Sequence, residues 1–138
     1  MATKIRKVNY VYIKTPNRAG VATRILAALR EADVNLLAFS GFPAGRGMSQ
    51  IDLVTDDLAG LKRVARREGW KLSRTKRAFL AQGTDKVGAV LGPVAKIAAQ
   101  KINVIAADAV SSGMGRFGMI FWVPPRHYAR AARALGAR

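Results

Sequence analysis

The sequence predicts an α+β protein made of two tandem copies of one βαββα-type unit. Three observations carry this reading: a gap-free internal likeness, the same order of strand-like and helix-like patterns in both halves, and turn glycines at matching places. With Gly20 set on Gly88, a displacement of 68 positions, Ala27 falls on Ala95, Asn35 on Asn103, Ala38 on Ala106, Gly45 on Gly113 and Gly47 on Gly115. Conservative pairs lie between them: Leu29 with Ile97, Val34 with Ile102, Leu37 with Ile105, Ile51 with Met119 and Leu53 with Phe121.

In the first copy, residues 8–14 are rich in β-branched and aromatic side chains and stop at Thr15-Pro16, which predicts a strand. Residues 19–33 place Val21, Ile25, Ala28, Leu29 and Ala32 at helical spacing, which gives one buried stripe. Residues 36–39 and 49–55 are expected to be strands joined through Phe42-Pro43-Ala44-Gly45-Arg46-Gly47, a segment able to reverse the chain. Ile51 and Leu53 alternate with Gln50 and Asp52, so one face of the latter strand is expected to be buried and the other open. Asp56 or Asp57 is placed to cap a helix that turns Leu58, Leu61, Val64 and Ala65 inward and ends at Gly69. Capping explains the two adjacent aspartates better than a metal does. Residues 70–75 then read as a fourth strand, and the order is βαββαβ.

The second copy starts with a strand at residues 78–82 and continues as a helix through Val94, Ile97 and Ala98. Pro93 must sit in the first turn of that helix, because an interior proline removes a backbone hydrogen bond and clashes with the preceding turn; the helix therefore starts later than its counterpart. Strands follow at residues 104–110 and 117–123. Met119-Ile120-Phe121-Trp122-Val123 has no polar face, so both of its sides should be covered. A helix over residues 126–135 completes the copy. The units are thus expected over 1–75 and 76–138, the second lacking its own last strand. The edge this leaves open should be filled by the basic N-terminal segment, residues 3–7, or by a strand of a partner chain.

Half of the 138 residues are apolar, which predicts a folded core. No apolar run is long enough to span a bilayer, and residues 1–7 lack the apolar stretch of a secretion signal, so a cytoplasmic protein without membrane contact is expected. Without cysteine there is neither a disulfide framework nor a thiolate metal site. No metal and no cofactor is expected, and no enzyme. His127 is the one histidine, beside Pro124-Pro125-Arg126 near a helix start, and the serines at 40, 49, 73, 111 and 112 lack the local context of a triad. Gly113-Met114-Gly115-Arg116-Phe117-Gly118 imitates a phosphate loop, yet it joins two strands and opens no helix.

Two βαββαβ units in tandem, each with a polar-x-x-Gly turn between first strand and first helix, resemble tandem ACT domains. Asn17-Arg18-Ala19-Gly20 and the helix exit Asp33-Val34-Asn35 are similar to that family's Asn-Arg-Pro-Gly turn and Gly-Val-Asn exit. The resemblance implies a ferredoxin-like sandwich with helices packed on one face of antiparallel sheets. It implies paired units in a homodimer and a regulatory, allosteric role read by a regulated partner protein. The ligand, an amino acid or related carboxylate, would sit between the strand–helix turn of one unit and the helix exit of another. By that likeness Asn17, Arg18, Ala19, Gly20 and Asn35 would hold it in the first unit, and Asp85, Lys86, Val87, Gly88 and Asn103 in the second. Thr15 stands where some relatives place a histidine, Ala19 replaces the family's proline, and the second turn reads Thr84-Asp85-Lys86-Val87-Gly88.

The chemistry of such turns agrees, since free N–H groups at a helix N-terminus attract a carboxylate and a glycine allows close approach. Asparagine both donates and accepts, which suits a zwitterion. The plainer alternative is that Asn17 caps its helix, Asn35 and Asn103 take left-handed conformations at helix ends, and the glycines only turn the chain.

The formal charge of +16 supports a different alternative, an RNA- or DNA-binding protein. Lys62, Arg63, Arg66, Arg67, Lys71, Arg74, Lys76 and Arg77 cluster, and Arg126, Arg130 and Arg133 recur along the last helix. Tyr10 and Tyr12 share a strand face, but the glycine-aromatic stacking motif of RNA-recognition modules is missing from the third strand.

Overall fold

The computed structural model describes residues 3–138; Met1 and Ala2, where the first unit was expected to begin, lie outside the described residues. The chain packs as two units, one of Asn9–Lys76 (the N-terminal unit) and one of Arg77–Arg138 together with residues 3–8 (the C-terminal unit).

In the N-terminal unit, β1 (Lys4–Pro16, of which residues 9–16 belong here) pairs antiparallel with β3 (Met48–Val54), and β2 (Ala38–Pro43) pairs with the other edge of β3. Helices α1 (Val21–Glu31) and α2 (Leu58–Glu68) lie on one face. The face is selected by the period-2 pattern: Val11, Ile13, Ile51 and Leu53 meet Ile25 and Leu29 of α1 and Leu61 and Val64 of α2. Each such side chain, removed from water, contributes about 1.5–3 kcal/mol. Asp57 caps α2 as expected: its Oδ1 accepts the Gly60 N–H at 2.9 Å, and Gly69, at φ 76°, ends the helix.

In the C-terminal unit, β4 (Lys76–Thr84) pairs antiparallel with β6 (Arg116–Trp122), and β5 (Ala106–Gly113) takes the outer edge of β6. Helices α3 (Leu91–Ala99) and α4 (Tyr128–Leu135) cover one face, with Phe79, Met119 and Phe121 packed on Ile97, Tyr128 and Leu135. Ile120 and Trp122, which alternate to the other face of β6, are buried as well, as an all-apolar strand requires. Pro93 is in the first turn of α3, and α3 starts two positions later than α1 would by the repeat.

The internal repeat is visible in the backbone. Ile13 faces Ile51 and, 68 positions on, Ala81 faces Met119; Ala38 faces Val54 and Ala106 faces Trp122. Positive φ recurs at the same displacement: Gly20 and Gly88 at 91° and 82°, Asp33 and Lys101 at 58° and 57°, Gly47 and Gly115 at 61° and 72°.

Several expectations need correction. Residues 70–75 are not a strand. They run beside β1 through a backbone bond from Ser73 N–H to Tyr12 O (2.9 Å), while the Tyr12 N–H is taken by the Ser73 hydroxyl, also at 2.9 Å. A side chain thus replaces one rung of the ladder. Strand β1 begins at Lys4 and not at Val8, whereas its place beside β4 agrees with the expectation that the N-terminal segment fills the open edge of the C-terminal unit. Strands β2 and β5 start two residues later than expected and run on to Pro43 and Gly113. Asp52 is buried although its strand position reads as open, and the Gln50 amide donates to its Oδ1 at 3.0 Å. Burial raises the Asp52 carboxyl above its ordinary pKa, against the opposing pull of Gln50 and Lys76. The last helix begins at Tyr128, after a 3-10 turn over Pro125–His127.

Candidate functional site

Both strand–helix turns have the same construction. After β1, the Asn17 N–H donates to Gly47 O at 2.8 Å and the Arg18 N–H to Pro16 O at 3.0 Å, which folds the turn back on the β2–β3 hairpin. Gly20 holds the N-cap position of α1 at φ 91° and ψ −18°, a conformation that a side chain would strain. After β4, the Asp85 N–H donates to Gly115 O at 2.8 Å, and Gly88 takes the matching conformation.

Neither helix receives a side-chain cap among the described residues, in contrast to α2. Asn17 therefore does not cap α1, and its side chain stands in solvent with those of Arg18 and Ala19. Two residues before it, Thr15 is buried to 8% exposure, and its hydroxyl has no hydrogen-bond partner among the described residues. A buried hydroxyl left without a partner costs about 1–3 kcal/mol.

The second turn borders a cavity of about 250 Å³ lined by Asp85, Lys86, Gly88, Leu91, Ser111 and Phe117, among others. The Ser111 hydroxyl donates to Asp85 Oδ2 at 2.8 Å, so this carboxylate is already held from β5. Val87 points fully into solvent and does not line the cavity. Ser111 and Phe117 carry no site signal in the sequence; they reach the cavity only because β5 and β6 bring them beside the turn.

At the helix exits the left-handed residues are Asp33 and Lys101, not Asn35 and Asn103. The asparagines lie two positions further on and are exposed. Asn35 borders a second cavity, of about 310 Å³, with Leu26, Arg30, Asp33 and Leu36, and its carbonyl accepts the Thr55 hydroxyl at 2.7 Å. Asn103 lines neither cavity. Turn and exit stand at opposite ends of one helix. Across the eleven residues of α1 that separation is about 16 Å, and across the nine of α3 about 13 Å. A single copy therefore brings its turn residues together but cannot join them to its own exit asparagine.

This architecture is shared with solved structures. The regulatory subunit of aspartate kinase from Thermus thermophilus, in its ligand-free form, superposes with a TM-score of 0.68 at 13% identity, over 99% of this chain and 95% of that one. The fold is of the ACT type. The corresponding subunit from Thermus flavus gives a TM-score of 0.59 at 14% identity, over 99% and 95% of the two chains. A protein from Bacteroides thetaiotaomicron gives 0.77 at 11% identity, over 97% and 88%. No family model and no curated protein matches the sequence. At such identities the likeness establishes the ACT-type fold and nothing finer. Among the described residues, no helix is long and apolar enough to cross a membrane.

Proposed function

We propose that this chain is a non-catalytic regulatory protein whose ACT-type units bind an amino acid or a related small carboxylate. The observation that carries the reading is the pair of uncapped helix N-termini, each behind a positive-φ glycine, with the buried, unpartnered hydroxyl of Thr15 on the strand that leads into the first turn. Free N–H groups and the positive end of the helix dipole favour a carboxylate. The Thr15 hydroxyl supplies a donor or acceptor for the rest of the head group, and Asn17 a second. The exit asparagines, Asn35 and Asn103, complete such a site only from a neighbouring unit, so the reading includes paired units in a homodimer. Binding would favour one packing of the pair over another, and a regulated partner protein would read the difference. Two of the three folds named above belong to regulatory subunits of aspartate kinase, which is consistent with this role.

Calorimetric titration against the twenty amino acids tests it. At least one should bind with a Kd below 1 mM, and Thr15→Val should weaken that binding at least tenfold while leaving thermal stability unchanged or higher, since it removes an unpaired buried hydroxyl. No binding by any of the twenty, or equal binding by Thr15→Val and Asn17→Ala, would remove the proposal.

A further inference from the structure

The positive charge is not spread evenly by environment. In the C-terminal unit the sole carboxylic side chains are Asp85 and Asp108, and Asp85 is held by Ser111 at the far turn. On α2 of the other unit, by contrast, Arg67 is paired with Glu68 at 3.2 Å, and Asp56 and Asp57 precede the helix. Beside α4 lies a cleft of about 440 Å³ whose lining includes Lys7, Arg77, Arg133 and Arg138 but no acidic side chain.

One of these cations is fixed in place. The Arg77 guanidinium lies 4.3 Å from the centroid of the Tyr128 ring, which stacks at 4.4 Å and 7° on Phe79 and donates its hydroxyl to Ala78 O at 2.8 Å. Stacking satisfies the guanidinium face and leaves its N–H edge, the part that pairs bidentately with phosphate oxygens. The nearby carbonyls at the end of α4 do not use up the charge: Ala132 O and Arg133 O already accept from Ala137 and Gly136. From the cleft, Arg133, Arg130 and Arg126 continue along one side of α4 and the turn before it, all exposed. Their span of seven residues is about 10 Å, over which one strand of a duplex presents about three phosphates.

We propose that the α4 face of the C-terminal unit, from the Arg77–Lys7 cleft along Arg133, Arg130 and Arg126, is a docking surface for the phosphodiester backbone of a nucleic acid. The surface is separate from the strand–helix turns and does not depend on the amino-acid reading. It reads backbone and not base, because no exposed aromatic side chain accompanies the cations on this face among the described residues.

The test compares two double variants of equal charge change, Arg130→Glu/Arg133→Glu on α4 and Lys62→Glu/Arg63→Glu on α2, by fluorescence anisotropy with labelled RNA and DNA oligonucleotides at several salt concentrations. All four side chains are exposed, and circular dichroism checks that both variants fold. The parent should bind with a log–log salt slope of about −3 to −5, as four to five phosphate contacts require. The α4 variant should lose at least tenfold in affinity and flatten the slope by about 2, while the α2 variant loses less than threefold. His127 is the sole histidine, and its pKa is lowered by desolvation and by Arg126 and Arg130, so its NMR titration should move upward when phosphates neutralise those arginines. Equal losses from both variants would show attraction by net charge alone and overturn the assignment. So would an unmoved His127, binding of inorganic polyphosphate with neither RNA nor DNA bound, or no binding at 0.15 M salt.

Discussion

Tyr128→Phe isolates one buried hydroxyl with two opposite consequences at different pH. In the parent, the hydroxyl donates to Ala78 O at 2.8 Å in a side chain only 3% exposed. Its removal leaves a buried carbonyl without that partner, while the ring keeps its stack on Phe79 and its place under Arg77. At pH 7 the variant should be less stable by about 1–2 kcal/mol, roughly 5 °C in Tm for a chain of this size. Burial pushes the phenol up to about 12 from an ordinary 10.0, although Arg77 pulls the other way. An acid raised by folding binds its proton longer in the folded state, so the parent loses stability as pH rises through the unfolded value toward the folded one. At pH 11 that loss is about 1 kcal/mol, and the phenylalanine variant does not incur it. Urea unfolding followed by tryptophan fluorescence at pH 7, 9 and 11 should therefore show the two proteins converging above pH 10. A parent-to-variant difference that stays constant from pH 7 to 11 would refute the assignment of the shift to this buried phenol.

Ser73→Ala removes the acceptor of the Tyr12 N–H and should cost about 1–2 kcal/mol, with faster amide exchange at Tyr12 by mass spectrometry than in the parent; unchanged exchange would mean that the 70–75 segment does not support β1. Asp52→Asn keeps an oxygen for the Gln50 amide and removes a carboxylate whose ionisation burial opposes. Because the folded carboxyl titrates above the unfolded one, the parent loses this contribution as pH rises from about 4, so the variant should be the more stable at pH 7 and the equal of the parent at pH 3. Thermal melts at the two pH values decide it.

The local chemistry of the fold was legible because it is carried by short-range signals. The β-branched run before Pro16, the helical stripe of Ile25 and Leu29, the Asp57 cap, the Gly69 stop and the first-turn Pro93 each announce themselves within one turn or one strand. What failed depends on partners far along the chain. Residues 70–75 have strand-forming character, but Ser73 offers its hydroxyl where a further rung would form. That residues 4–8 fill the open edge beside β4 was legible from the missing strand, but that they continue unbroken into residues 8–14 as one strand was not. Asp52 reads as solvent-facing because alternation assumes one open face, and its strand is buried through Thr55.

The candidate site shows the same division. The turn glycines were placed correctly because positive φ leaves a mark on residue type. The plainer alternative, left-handed conformations at Asn35 and Asn103, does not hold: Asp33 and Lys101 take them, two positions earlier in each copy. The Ser111 to Asp85 bond joins residues 26 positions apart on an exposed edge and has no sequence signature.

Strand β1 also sets a timetable. Its residues 4–8 are translated long before their partners, since they are completed by β4 and by the Lys7 N–H to Arg138 O bond at 3.2 Å. During synthesis the N-terminal unit can close once Lys76 has emerged, whereas the C-terminal unit must wait for Arg138 and then recover a segment translated more than a hundred residues earlier. Until then those basic residues have no strand to complete, and their charge helps to keep the waiting edge from joining a neighbouring nascent chain.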